Sequence, residues 1–212
     1  MWEARNRAVF EQEQLDALRV VKRVEGMRRE MEVDMGNVEA AGVMRGEQWQ
    51  WTKPEQGFVK LNIDAGVKEG WGMGVGVVCR GNNGEVVWGL SEHRREELEP
   101  KLAESMAILE GIKEARSRGH SNIIIESDCK SVIDALKRKE HGQSDFHLIL
   151  DDIFYFCSAF NSVIWSFVSR KLNSVAHELA HYSSSEIGRQ VWDSLLPEQV
   201  MSLVTRDINE MR

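Results

Sequence analysis

The chain has 212 residues and a formal net charge of −7 at pH 7. This length allows one core of ordinary size with an appendage and excludes two large domains. No stretch approaches the roughly 18 unbroken apolar residues that indicate a membrane span. The acidic balance argues against a wide phosphate-binding surface, which usually carries an excess of Lys and Arg, so any contact with nucleic acid must be local.

The first ten residues carry charges where a secretory signal would be apolar. The three cysteines, Cys79, Cys129 and Cys157, are far apart and form no C-x-x-C pair, which favours reduced thiols over a zinc site. We therefore expect an intracellular protein of the nucleus or cytoplasm. It is expected not to be secreted, to have no membrane partner and to be a monomer by default.

The N-terminal part of the chain differs in composition from the rest. Residues 11–35 place apolar side chains at helical spacing among charges, which predicts an amphipathic helix. Three glycines among small residues follow, at positions 36, 42 and 46, and indicate a loose linker. The predicted organisation is a helical segment and linker at 1–47, an α/β domain at 48–192 and a helical tail at 193–212.

Beyond residue 48 the apolar pattern changes from helical spacing to the alternation that is typical of strands. This pattern predicts strands at 58–64, 73–79 and 85–90, the last two joined by a Gly-Asn-Asn-Gly turn. A helix from Leu102 is predicted to end at Gly119, since glycine is favoured directly after helices. We interpret the first three strands as an antiparallel meander.

The second half of this region predicts alternating helices and strands. The predicted elements are a strand at 123–125, helices at 131–139 and 145–160, a strand at 163–168, and a helix at 173–185 with Asn173 as its N-cap. The element order is then βββαβααβα. It predicts an α/β fold whose mixed five-stranded sheet has three antiparallel strands, then parallel additions, and is flanked by helices.

Three acidic residues occupy positions where this fold would bring them together. Asp64 ends the first strand, Asp128 directly follows the fourth, and Glu104 lies in the first turns of the intervening helix. If the first and fourth strands are neighbours, their C-terminal ends place the two aspartates side by side. Carboxylates this close repel one another unless Mg²⁺ or Mn²⁺ lies between them. The alternative is that each is a solvated acid or a helix cap.

Five ordered motifs carry a resemblance to a known family: WTKPEQGFVKLNID at 51–64, GVGVVCR at 74–80, AESMA at 103–107, ESD at 126–128 and NSVAHELA at 173–180. Over residues 49–192 the chain resembles the ribonuclease H type 1 domain of plant retroelement-derived, reverse-transcriptase-like proteins of the non-LTR class. Residues 2–10 are similar to the segment that precedes this domain in longer polyproteins. That similarity suggests that the chain is a fragment of a retroelement protein, separated from its polymerase.

The resemblance implies a ribonuclease H-like fold and Mg²⁺-dependent endonucleolytic hydrolysis of the RNA strand of RNA–DNA hybrids by a two-metal mechanism. It implies that Asp64, Glu104 and Asp128 are the first three metal ligands, and the family's fourth acid falls on His177. Imidazole suits Mn²⁺ better than Mg²⁺, so Mn²⁺ is a candidate substitute. Nucleic-acid contacts are expected at Asn62, Ala65, Gly66 and Asn173.

The departures from the family pattern leave alternatives open. His177 is either a metal ligand or a half-buried helix histidine, and His181, one turn later, is interpreted as a surface residue. The loop at 169–172 is too short for the mobile histidine of the cellular enzymes, and Ala65 stands where those enzymes have glycine. One alternative function is a catalytically decayed domain that binds hybrid or double-stranded RNA. Another is a protein-interaction module that retains only the fold.

Overall fold

The computed structural model describes residues 50–182 and 188–210. The N-terminal helical segment and linker predicted at 1–47 lie outside the described residues, and the predicted division into domains stays a prediction. Within the described ranges, no helix is both long enough and apolar enough to span a membrane.

The described residues form six strands, five α-helices and one short 3-10 turn. The strands are β1 Val59–Lys68, β2 Gly72–Arg80, β3 Val86–Arg94, β4 Asn122–Ser127, β5 Ser162–Phe167 and β6 Gly188–Asp193. The helices are α1 Pro100–Ser117, α2 Lys130–Lys137, α3 Asp145–Cys157, α4 Ser174–Ala180 and α5 Glu198–Glu210, with the 3-10 turn Arg170–Asn173 directly before α4.

The six strands form one mixed sheet in the order β5-β4-β1-β2-β3-β6. The first three strands form an antiparallel meander, and β4 and β5 extend the sheet in parallel from β1. The predicted turn between β2 and β3 is present, with the Gly84 N–H donating to the Gly81 carbonyl at 3.0 Å. The mixed α/β architecture is thereby confirmed, and β1 and β4 are neighbours, which is the condition for bringing Asp64 and Asp128 together.

The sheet has six strands where the sequence predicts five. The additional strand, β6, pairs antiparallel with β3 and places Val191 opposite Leu90. Its six residues are exposed or half-buried. A short edge strand of this kind lacks the run of buried apolar side chains that identifies a strand in sequence, which explains why the pattern missed it.

The core has two parts, one on each face of the sheet. A large cluster fills the side covered by α1, α2 and α3, and a smaller one packs α4 and α5 against β2 and β3. All nine residues of β2 are buried, because this central strand is covered on both faces. A strand buried in this way shows a continuous small and apolar run rather than alternation.

The helix predicted at 173–185 is present as α4, which starts one residue later and ends earlier than predicted. The 3-10 turn ends at Asn173, α4 follows from Ser174 to Ala180, and residues 183–187 lie outside the described residues. Asn173 occupies the N-cap position of α4 as predicted, but its side chain makes no capping hydrogen bond. The amide instead donates to the Ile63 carbonyl at 2.8 Å, because the side chain is turned into the protein.

The C-terminal helix α5 packs on the sheet through Val200 and Val204, which contact the cluster that contains Val78. Its Asp207 accepts from the buried Arg80 guanidinium at 2.7 Å, and both side chains are almost fully shielded from solvent. The boundary predicted at residue 192 falls inside β6, and helix α5 of the following segment forms part of the packed core.

Candidate metal centre

The register of β1 and β4 brings the three predicted acids together. Asn62 is level with Glu126 in this parallel pair, so Asp64 is level with Asp128, two residues further along each chain. Asp64 lies within β1 rather than at its end, while Asp128 directly follows β4 as predicted. Glu104 reaches the same place from the first turns of α1. One oxygen from each of the three carboxyl groups lies within 4.8 Å of the others.

Burial and mutual repulsion perturb the two innermost acids. Burial, followed by the charges of Asp64 and Asp128, raises the pKa of Glu104 to about 9. Burial also raises the pKa of Asp64 to about 6, and proximity to Asp128 adds to this effect while a hydrogen bond from His177 opposes it. Without a counter-charge, this cluster therefore retains at least one proton near neutral pH.

The Glu104 carboxyl group shows why a cation fits the cluster. One of its oxygens is bound by the Ala65 N–H, whereas Oε2 is buried and has no hydrogen-bond partner among the described residues. A buried carboxylate oxygen without a partner is energetically costly. Mg²⁺ and Mn²⁺ prefer oxygen ligands, and the three carboxyl groups supply such ligands at one place. The residues present therefore fit a divalent ion.

The alternative interpretation of Asp128 as a helix cap is not supported. The N-cap position of α2 is Cys129, and no side chain caps this helix. Asp128 instead accepts a hydrogen bond from the Asn173 amide at 3.3 Å. Its carboxyl group is thereby held toward Asp64 rather than toward the end of α2.

His177, at the predicted fourth position, lies directly beside Asp64. Its Nδ1 is 2.8 Å from Asp64 Oδ2, and the imidazole is 31% exposed. The guanidinium group of Arg170 lies against the same ring, with Nη2 at 3.3 Å from Nε2. His177 thus lies at the edge of the carboxylate cluster, between the buried acid and an exposed cation.

His181 is exposed, and it also lies at this site. Its Nδ1 lies 2.9 Å from the His177 carbonyl oxygen, and the two imidazole centroids are 4.2 Å apart. Ligand atoms of Asp64, His177 and His181 form a second group within 4.8 Å of one another. The sequence signal for this group was the i, i+4 spacing of the histidines, which places them on one face of a helix.

The four residues expected to contact nucleic acid all make contacts within the protein at this site. Asn62 and Asn173 are fully buried, so their side chains have no free surface for a ligand. Asn62 donates to Glu126 and accepts from Trp51 and Arg80, and Asn173 supports Asp128. The Ala65 N–H binds Glu104, and Gly66 is buried beneath the His181 ring. These residues therefore organise the site from within.

Comparison with known proteins places the site in a family context. A family model described as reverse transcriptase-like matches residues 62–183, a range that includes all the site residues described above. A search of curated proteins finds no significant match.

Several solved structures resemble the fold. RNase H1 from the halophilic archaeon Halobacterium salinarum NRC-1 is 20% identical with a TM-score of 0.55, covering 58% of this chain and 95% of that chain. The N-terminal RNase H domain of a Mycobacterium tuberculosis protein is 20% identical with a TM-score of 0.54, covering 58% and 91%. LC11-RNase H1, solved in complex with an RNA/DNA hybrid, is 15% identical with a TM-score of 0.54, covering 59% and 95%. At these identities the likeness concerns the fold.

Proposed function

Since this chain belongs to the reverse transcriptase-like family and has the ribonuclease H fold, we propose that it is a metal-dependent endonuclease that hydrolyses the RNA strand of RNA–DNA hybrids. The observation that carries this proposal is the convergence of Asp64, Glu104 and Asp128 around a buried oxygen without a partner among the described residues. The structure of LC11-RNase H1 with an RNA/DNA hybrid supports the choice of substrate.

The three acids would hold Mg²⁺, with Mn²⁺ as a possible substitute, and His177 would be the fourth ligand. When bound, such ions activate a water molecule and stabilise the leaving oxygen in phosphodiester hydrolysis. Glu104 would lose its proton on ion binding, because a divalent charge outweighs the repulsion that raises its pKa. Asn173 keeps Asp128 oriented, and the Ala65 N–H does the same for Glu104.

The substrate would contact a local surface rather than a wide one, in keeping with the acidic chain. Arg170 and Lys171, in the 3-10 turn before α4, are exposed cations at the edge of the site. Arg170 is close enough to oppose the rise in the pKa of Glu104. These two residues are candidates to contact a phosphate of the nucleic acid.

One observation favours a second candidate function, a decayed domain that binds nucleic acid or a protein partner without cutting. The imidazole of His177 is hydrogen-bonded to Asp64, where the family pattern has an acid. An imidazole in place of a carboxylate reduces the negative charge of the pocket, which weakens the binding of Mg²⁺. Retention of the fold with a weakened ion site would leave binding without catalysis.

Cleavage of a labelled RNA–DNA hybrid, first with Mg²⁺ and then with Mn²⁺, tests the proposal. The nuclease should cut the RNA strand, with Mn²⁺ more effective, and Asp128→Asn should abolish the activity while the protein remains folded. Single-stranded RNA, double-stranded RNA and double-stranded DNA of the same sequence serve as substrate controls. Tight hybrid binding with no cleavage in either metal would favour the decayed domain.

We further infer a plant retroelement origin, an intracellular location in the nucleus or cytoplasm and a monomeric state. The reverse transcriptase-like family assignment supports an origin in a retroelement. Size-exclusion chromatography with light scattering would test the monomer, and localisation of a tagged chain in plant cells would test the location.

A further inference from the structure

A second group of metal-ligating side chains lies beside the carboxylate centre and includes a residue that the proposed nuclease does not use. The group consists of Asp64, His177 and His181. We propose that these three residues form a binding site for a transition-metal ion such as Zn²⁺ or Co²⁺, adjacent to the nuclease centre, with which it shares Asp64 and His177. Two histidines and one carboxylate form a known three-ligand set for such ions, whereas Mg²⁺ prefers oxygen ligands alone. This metal-binding function goes beyond hydrolysis and does not require it.

The tautomer of His181 suits a ligand. Its Nδ1 lies 2.9 Å from the His177 carbonyl oxygen, and because a carbonyl oxygen can only accept, Nδ1 carries the proton. The neutral ring then has its lone pair on Nε2. A hydrogen bond from Nδ1 to a backbone carbonyl is a common way to orient a metal-binding histidine. His181 is exposed, so an ion can approach it from solvent.

The backbone of β1 allows the His181 ring to lie next to Asp64. A Cβ added at Gly66 would be 2.9 Å from both Cε1 and Nε2 of this ring, closer than side chains approach in proteins. Gly66 is not among the glycines with positive φ, so its backbone is compatible with alanine. Gly66→Ala should therefore displace the ring and leave both histidines in the chain.

The carboxylate group and the second group have only Asp64 in common. Glu104 and Asp128 belong to the carboxylate group alone and His181 belongs to the second group alone, while His177 is also the proposed fourth ligand of the nuclease. Arg170 places its guanidinium 3.3 Å from His177 Nε2, so its positive charge opposes a cation at the histidines. Removal of this charge should strengthen metal binding at the second group, and such an increase would show that the ion binds close to Arg170.

Cobalt is a suitable probe, because its visible absorption reports imidazole ligands. Co²⁺ would be titrated into the full chain without a polyhistidine tag, in excess Mg²⁺, with absorption and calorimetry as readouts. We expect one Co²⁺ site in the wild-type protein, with affinity reduced about tenfold or more by His181→Ala and by Gly66→Ala. Arg170→Ala should increase the affinity. His141→Ala should leave it unchanged, since the His141–Asp151 contact of 2.6 Å joins no third ligand among the described residues.

Asp128→Asn separates this proposal from the nuclease function. The variant should lose any cleavage activity but keep its Co²⁺ affinity within about threefold, because Asp128 is not in the second ligand set. Two results would overturn the proposal: Co²⁺ affinity unaffected by both His181→Ala and Gly66→Ala, or Co²⁺ affinity reduced as strongly by Asp128→Asn as by His181→Ala. Absence of cleavage in the wild-type protein would count against the nuclease and leave the cobalt result intact.

Discussion

Glu104 shows how the fold controls a single residue. A carboxyl group with a pKa of about 9 in the folded state and about 4.5 when unfolded favours folding only while it is protonated. Its contribution is full below about pH 4.5 and is lost as the pH rises toward 9. Glu104→Gln, which mimics the protonated form, should therefore raise the free energy of unfolding by about 1 to 3 kcal/mol at pH 8 and by little at pH 4.5.

Urea denaturation of both proteins in a chelator, at the two pH values, measures this difference. With Mn²⁺ added at pH 8, the wild-type protein should become more stable than Glu104→Gln, because the ion binds the carboxylate that glutamine lacks. An equal change in the free energy of unfolding at both pH values would show that ionisation of Glu104 does not destabilise the folded protein.

His177 can be changed to the acid that the family pattern has in its place. His177→Asp should increase Mg²⁺ affinity by about tenfold and increase cleavage in Mg²⁺, because a harder, charged oxygen replaces a nitrogen ligand. The matched control is His177→Asn, which removes the imidazole without adding charge and should not improve Mg²⁺ binding. Calorimetric Mg²⁺ titration and hybrid cleavage are the measurements. No change of either quantity in His177→Asp would place residue 177 outside the metal shell.

At the scale of the elements, the contact between α4 and β2 positions both histidines. A Cβ at Gly76 would overlap the backbone of α4 at Ala176 and Ala180, so this glycine allows the helix to lie directly on the strand. Gly76→Ala should push α4 away and destabilise the protein by about 1 to 3 kcal/mol, the usual cost of overpacking. It should also weaken metal binding at His177.

Gly111→Ala is the matched control for this prediction. Gly111 is also buried, but its added Cβ would meet the side-chain atom Ile63 Cδ1, which can shift, and alanine is favoured within a helix. Thermal unfolding of the two variants should show the larger decrease for Gly76→Ala. A larger decrease for Gly111→Ala would mean that α4 adapts easily and does not depend on close contact.

At the scale of the whole molecule, α5 completes the domain. It covers one face of the sheet and supplies the counter-charge to Arg80, which is fully buried and also lies over the Trp51 ring. A chain of residues 48–212 should unfold cooperatively, whereas one that ends after Asp193 should lose at least about 3 kcal/mol, because a buried charge loses its partner.

Circular dichroism during denaturation would compare these two chains with the full-length protein. Asp207→Asn in the longer chain is the control, since it removes the ion pair and keeps the apolar contacts of Val200 and Val204. Equal stability of the two shortened chains would show that α5 is dispensable. Failure of the 48–212 chain to fold would show that residues 1–47 are required.

Much of the fold could be predicted because its signals are local. Alternation along β1, helical spacing along α1 and the glycine after it each depend on neighbours within a few residues. The order of these elements allowed β1 and β4 to be neighbours, and the pairing found in the structure places Asp64 beside Asp128. The three acids were therefore predictable, whereas the position of His177 was implied by the family resemblance, whose fourth acid falls on this residue.

Only the tertiary structure decided which side chains have partners across the fold. The Asn173 side chain was predicted to cap its own helix, yet its amide donates a hydrogen bond to the Ile63 carbonyl, 110 residues earlier in the chain. The place of His181 depends on the absence of a side chain at Gly66, on a strand that is distant in sequence. The edge strand β6 forms because β3 offers it an edge for pairing. Sequence determines local conformation, whereas buried hydrogen bonds and close backbone contacts arise only when distant segments pack together.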